Sequence, residues 1–285
     1  MKQSLTVYCL CLIFPFLACV IMPAYSADVT VGFLAGSNKL GEVEEAAYAW
    51  AKDNFKTTTL LVDKSGNFKN KGGTALQPEQ FAVLWMLYTE TNTLPDPFLA
   101  DATVKSILDY VEAGGGVFLS ALALRYVVEL GVEKGGDPRV FGPLGKDPPE
   151  IGIVPTADGK NHPVFEGFDT SKPVFLTSMA QEGFTSDFHN FGGDPEGTIL
   201  GTKTRGGGAG AGERPFVEYE VGDGIIITLG HHNGVYTDAK SKEGDNLRKL
   251  TTNVLNYLGE NSAFFAVEPN GKLATIWGHL KAVSK

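Results

Sequence analysis

Over its first half the chain alternates apolar runs of strand length with segments of helical spacing, and this alternation narrows the fold more than any other feature. Asp28 to Leu34 alternates and then turns fully apolar. The small polar group Ala35-Gly36-Ser37-Asn38 follows it, and Gly41 to Asn54 then carries helical periodicity. Thr57 to Val62 is β-branched and apolar, and Phe81 to Tyr88 is apolar on both faces, as a central strand covered by helices on each side must be. Asp101 to Ala113 places Val104, Ile107, Leu108 and Val111 on one helical face, and Gly114-Gly115-Gly116 stops that helix. Val117 to Leu122 reads as a fourth strand, with a helix expected near Arg125 to Leu130. Strand and helix thus alternate four times, which predicts an α/β fold built on a doubly wound, mostly parallel, flavodoxin-like sheet.

From Gly131 to Pro173 the chain is rich in Gly, Pro and charge, with one short apolar segment at Ile151 to Val154. It reads as an excursion from the sheet, with a strand pair and loops as its expected content. Val174 to Leu176, Thr198 to Thr202, Phe216 to Tyr219 and Ile225 to Leu229 are further strands, the last two joined by the turn Val221-Gly222-Asp223-Gly224. Gly206 to Gly212 reads as a mobile loop, because glycine alone fixes no backbone shape. Asn246 to Leu258 aligns Leu247, Leu250, Val254, Leu255 and Leu258 as a closing helix. The expected division is a leader over 1–27, an α/β domain over 28–260 and a tail of unassigned role over 261–285.

The leader is inferred from a basic start at Lys2, an apolar run from Leu5 to Ala24 and the small-residue site Ala24-Tyr25-Ser26-Ala27. The chain is therefore expected to be exported, to the periplasm or beyond, with no stable membrane insertion once the leader is removed. Leu17-Ala18-Cys19 leaves open a second reading, in which Cys19 carries lipid. Cys9, Cys11 and Cys19 all lie within the leader, so the processed chain would have no thiol, no disulfide and no Cys-based metal site. The net charge is −9 before Lys2 is lost and one unit lower after it, which disfavours nucleic acid and anionic headgroups as partners.

Three passages carry a family resemblance. They are Tyr110-Val111-Glu112-Ala113-Gly114-Gly115-Gly116-Val117-Phe118-Leu119, His162-Pro163-Val164-Phe165-Glu166-Gly167, and Gly224-Ile225-Ile226-Ile227-Thr228-Leu229-Gly230-His231. Over roughly residues 28 to 259 the chain resembles the class I glutamine amidotransferase-like superfamily, and within it is most similar to the trehalose-utilisation (ThuA-like) branch. The resemblance implies a Cys on a tight turn after the strand Val117–Leu122, or in the ThuA-like branch a His near Ser120 or Ala121. Neither is present. Leu119-Ser120-Ala121-Leu122 also lacks the G-x-S-x-G spacing of a strained serine elbow, so the expectation is a member without glutaminase activity.

Open parallel sheets bind ligands beyond the carboxyl ends of their strands. On these assignments that rim holds Gly36, Ser37 and Asn38, then Thr89 and Glu90, then Ser120, then His231 and His232, with Tyr236, Tyr88 and Trp85 close by to stack on a sugar ring. His231, Glu90 and Ser120 are the candidates for catalysis; Gly36, Ser37, Asn38, Thr89, His232 and Tyr236 are candidates for ligand contact. Each has a plainer alternative: Ser120 as a small packing residue, His231 as a hydrogen-bonded structural imidazole, Glu90 as a loop carboxylate, His162 as a turn former. Asp187, His189 and Asp238 show no compact metal spacing, and no phosphate-binding glycine motif follows the first strand, so neither cofactor nor metal is expected. Three functions stay open at this level. They are binding of a small polar molecule such as a carbohydrate, hydrolysis or isomerisation of a sugar derivative through His231 and Glu90, and a structural or interaction domain with no site.

Overall fold

The computed structural model describes residues 29–89, 93–134, 139–144, 151–177, 183–187, 195–205, 208–209, 214–232, 236 and 241–265. The expected leader, Glu90, His189, Asp238 and the tail beyond 265 lie outside the described residues.

In chain order the elements are β1 (Thr30–Ala35), α1 (Glu42–Asn54), β2 (Lys56–Val62), β3 (Phe68–Lys69), β4 (Ala75–Leu76), β5 (Val83–Tyr88), α2 (Asp96–Leu99), α3 (Asp101–Glu112), β6 (Gly116–Ala121) and α4 (Tyr126–Glu129). They continue with β7 (Arg139–Leu144), β8 (Ile151–Pro155), β9 (Val174–Thr177), β10 (Gly183–Asp187), β11 (Thr198–Arg205), β12 (Gly208–Ala209), β13 (Phe216–Val221), β14 (Gly224–Leu229), β15 (His231–His232) and α5 (Lys242–Asn261).

The main sheet runs β4-β3-β2-β1-β5-β6-β14-β13-β11-β8-β9, with β12 paired to β11. Its centre, β2-β1-β5-β6-β14, is parallel throughout. Counted among themselves these five strands follow the order 2-1-3-4-5, the doubly wound flavodoxin arrangement that the sequence predicts. Antiparallel strands extend it on both sides. The chain leaves β1 towards β2, then crosses back over β1 to reach β5, so successive connections diverge between β1 and β5.

Side chains alternate between two core layers, as the pleat requires. On β5, Val83, Trp85 and Leu87 face the layer that α1 and α5 close with Ala47, Ala51, Leu250 and Val254. Leu84 and Met86 face the layer closed by Ile107, Tyr110 and Val111 of α3. Acidic residues in the first turn of α1 (Glu42, Glu44, Glu45) and Lys52 in its last turn complement the helix dipole. Ser241 caps α5 by accepting the Gly244 N–H at 3.0 Å. At the end of α3, Gly114 takes φ 99° and the Gly115 N–H returns to the Tyr110 carbonyl at 3.0 Å. A Cβ on Gly115 would sit 2.2 Å from the Tyr110 ring, so this stop admits no side chain.

Three expectations need correction. Ile151–Pro155 is no excursion: as β8 it pairs with β11 and β9 at one edge of the main sheet, and Ile153 is fully buried against that wing. The helix expected over Arg125 to Leu130 is a 3-10 turn from Leu122 to Arg125 followed by the four residues of α4. Within the glycine-rich stretch, Gly208–Ala209 is held by pairing with Thr204 and Arg205 of β11. Among the described residues no helix is long and apolar enough to cross a membrane.

Candidate functional site

Where connections diverge between β1 and β5, the carboxyl ends of the two strands separate and leave a cleft of about 320 Å³, at the lower end of the range for small-ligand sites. Leu34, Leu40, Met86, Pro95 and Phe98 make its walls largely apolar; Gly36, Ser37, Lys39 and Glu44 supply the polar groups. Ser37 fixes the loop after β1. Its hydroxyl donates to the Lys39 carbonyl at 2.8 Å and accepts the Lys39 N–H at 3.3 Å.

Glu44, on the first turn of α1, is 4% exposed. Its Oε1 accepts two hydrogen bonds from one residue at the end of β5, the Thr89 N–H at 2.9 Å and the Thr89 hydroxyl at 2.7 Å. Its Oε2 is buried with no hydrogen-bond partner among the described residues. The sequence holds one signal for this residue. Glu44 falls on the same face as Ala47 and Ala51, the stripe that packs against the sheet.

At the end of β6 the chemistry differs from that of a nucleophile site. Ser120 is 4% exposed; its Oγ accepts Trp85 Nε1–H at 2.8 Å and makes a longer contact of 3.4 Å with the Met86 carbonyl. The next residue, Ala121, has φ 58° and ψ −130°, and among the described residues it is the only one other than glycine with positive φ. A strained bend between strand and helix is the geometry that presents a nucleophile in hydrolases with an elbow. Here it falls one residue past Ser120, and the side chain it presents is a methyl group.

His231 and His232 form β15, which pairs with Thr185 and Phe184 of β10 in a second sheet, β15-β10-β7. The backbone of this sheet lies beside the end of β6 and the turn after it. The imidazoles of His231 and His232 lie outside the described side chains. Tyr236 joins the aromatic layer, with its ring 5.8 Å from Trp50 and 5.9 Å from Trp85, and its hydroxyl is 2.6 Å from Thr251 Oγ1. Trp85 is fully buried in that layer. Asn38 is exposed and does not line the cleft.

The rim drawn from the sequence therefore divides. Gly36, Ser37 and Tyr88 come together around the cleft, and Thr89 borders it through Glu44. Ser120, Trp85 and Tyr236 pack into the core beneath α1 and α5. Glu44, Lys39 and Phe98 are the residues that sequence reasoning missed. His162 proves to be a turn former: Nδ1 accepts the Val164 N–H at 3.3 Å, and Nε2 lies 3.1 Å from Glu218 Oε2. Among the described residues no cluster of His, Cys, Asp or Glu is arranged for a metal.

No protein-family model matches the chain, and no curated protein matches it by sequence. Among solved structures it is similar to PurLQS from Thermotoga maritima, with a TM-score of 0.51 and 12% identity over 81% of this chain and 99% of that one. A ThuA-like protein from Bacteroides uniformis gives a TM-score of 0.48 at 15% identity, covering 86% of this chain and 99% of its own. One from Parabacteroides merdae gives 0.40 at 17%, covering 70% and 78%. At such identities likeness describes architecture alone. That architecture is the mixed α/β, flavodoxin-like amidotransferase fold.

Proposed function

We propose that this chain is an exported, non-glutaminase member of the amidotransferase-like superfamily, in its ThuA-like branch, and that it binds a small polar ligand, with carbohydrate the class to test first. The observation that carries the reading is the cleft at the divergence of β1 and β5. It is walled by apolar side chains and edged by a buried carboxylate, one oxygen of which has no partner among the described residues. Doubly wound sheets take their ligands at this position. The apolar walls suit the C–H face of a sugar ring, and the polar edge suits its hydroxyls. Ala121 at the strained bend favours binding over covalent acyl transfer, since the side chain there can attack nothing.

The test is a thermal-shift screen of the processed chain against neutral mono- and disaccharides and acyclic polyols, followed by calorimetric titration of any hit. A saturable rise in Tm is the expected result, since a ligand that binds only the folded state stabilises it by mass action. A screen in which no neutral polar compound shifts Tm at millimolar concentration overturns the reading. Mass measurement of the chain recovered from the exported fraction tests the leader. A mature N-terminus near Ala27 is expected, and a lipid-bearing Cys19 would replace that part of the proposal.

A further inference from the structure

Resting on the cleft as the binding site, we infer that Glu44 Oε2 is the acceptor for a hydroxyl group of the bound ligand, which makes Glu44 the residue that determines ligand class. A carboxylate has two oxygens, each able to accept more than one hydrogen bond. Thr89 gives both of its donors to Oε1, and Oε2 receives none from the described residues although the side chain is 96% buried by its 4% exposure. A buried charged acceptor left without a donor is costly, and such an atom in a folded protein calls for a specific explanation. Lys39 also lines the cleft but is exposed and forms no ion pair with Glu44. Oε2 is closed to solvent in this structure, so a ligand donor reaches it where the side chains over it give way, and its arrival removes that cost.

The choice of a hydroxyl follows from what lies beside that oxygen. Gly41, also in the cleft wall, is the N-cap of α1 and has no side chain with which to accept from the first helical turn. The cleft thus sets the buried acceptor Glu44 beside the start of a helix, whose first N–H groups have no partner within the helix itself. An ammonium can only donate, and a carboxylate can only accept. A hydroxyl does both, and two on neighbouring carbons can serve Glu44 and the helix start together.

The test combines a variant with a ligand series on the full chain. In Glu44→Gln the amide oxygen keeps both Thr89 bonds, and the –NH₂ group takes the place of Oε2, so an acceptor becomes a donor. Affinity for a neutral sugar that binds the wild type is expected to fall about 10- to 100-fold, the range for a hydrogen bond to a charged group. On the wild type, monodeoxy analogues of that sugar keep the result independent of how the variant folds. One deoxy position should lose about as much as Glu44→Gln does, and that analogue should lose nothing further on the variant. If the wild type binds no neutral sugar or polyol, the cleft reading itself is lost. If it binds and neither the variant nor any deoxy analogue weakens it beyond twofold, only the role of Glu44 is overturned. Tighter binding of an amino-substituted sugar than of its hydroxyl parent would also overturn it, by giving the oxygen to an ammonium.

Discussion

The indole N–H of Trp85 donates to Ser120 Oγ at 2.8 Å, a hydrogen bond between neighbouring parallel strands with both side chains in the core. The serine offered as a candidate for catalysis is thus the acceptor for a buried tryptophan. Ser120→Ala leaves the indole N–H unsatisfied, which should cost about 1–3 kcal/mol in urea denaturation. Ligand affinity in the cleft should not change. Lost binding with unaltered stability would return Ser120 to the site.

Ala121 carries a strained backbone that glycine would adopt freely. Ala121→Gly relieves strain of about 1–3 kcal/mol but gives up one buried methyl, about 0.8 kcal/mol, and adds unfolded-state entropy of about 0.5–1 kcal/mol. The net should lie between a loss of about 1 kcal/mol and a gain of about 2 kcal/mol relative to the parent. Ala121→Val adds branching at a position with no exposure and should lose more than about 3 kcal/mol. Equal stability of the two variants would show that the bend relaxes and stores nothing.

Burial raises the phenols of Tyr110, Tyr126, Tyr219 and Tyr236 above their ordinary value near 10; at Tyr219 the charge of Glu133 adds to the effect. The folded state therefore holds these protons to higher pH than the unfolded chain. Their stabilising contribution is complete below pH 10 and is lost as pH rises from there through the folded values. The urea midpoint should be flat below pH 9 and fall above 10, with tyrosinate absorbance appearing together with unfolding. Tyr126→Phe, which removes the hydroxyl bonded to the Phe98 carbonyl at 2.9 Å, should shallow the alkaline slope by about one proton. An unchanged slope would exclude Tyr126 from the linkage.

The parallel centre was legible because two-sided burial writes itself into continuous apolar runs such as Val83–Tyr88. Its glycine stop was equally plain, since only glycine fits against Tyr110. In the antiparallel wing β9, β11 and β13 were legible as strands but their pairing was not: β8 and β9 have five and four residues, and runs that short do not show which edge of the sheet they join. Glu44 was hidden by its neighbours. Glu42, Glu44 and Glu45 read alike as acids complementing a helix dipole, and only the arrival of Thr89 from a strand 45 positions away distinguishes the middle one. The bend at Ala121 was not legible, because it is set by backbone angles that no apolar pattern and no glycine motif encodes.

His162 lies in one of the passages that carry the family resemblance, and it is occupied on both ring nitrogens, as its reading as a turn former requires. Nδ1 must be unprotonated to accept the Val164 N–H, so in the neutral ring Nε2 bears the hydrogen that points to Glu218, and Tyr257 packs edge-on at 4.6 Å. The side chains of His162 and Glu218 are only 13% and 12% exposed. His162→Ala should therefore cost about 1–3 kcal/mol, because it deprives both a largely buried carboxylate and a backbone N–H of a partner. Adding Glu218→Gln to that variant should cost less than the same change in the parent, the non-additivity expected of two groups in direct contact. Ligand affinity at the β1–β5 cleft should be untouched, since His162 sits beside β13 in the antiparallel wing. A His162→Ala protein of parental stability that no longer binds ligand would overturn this assignment.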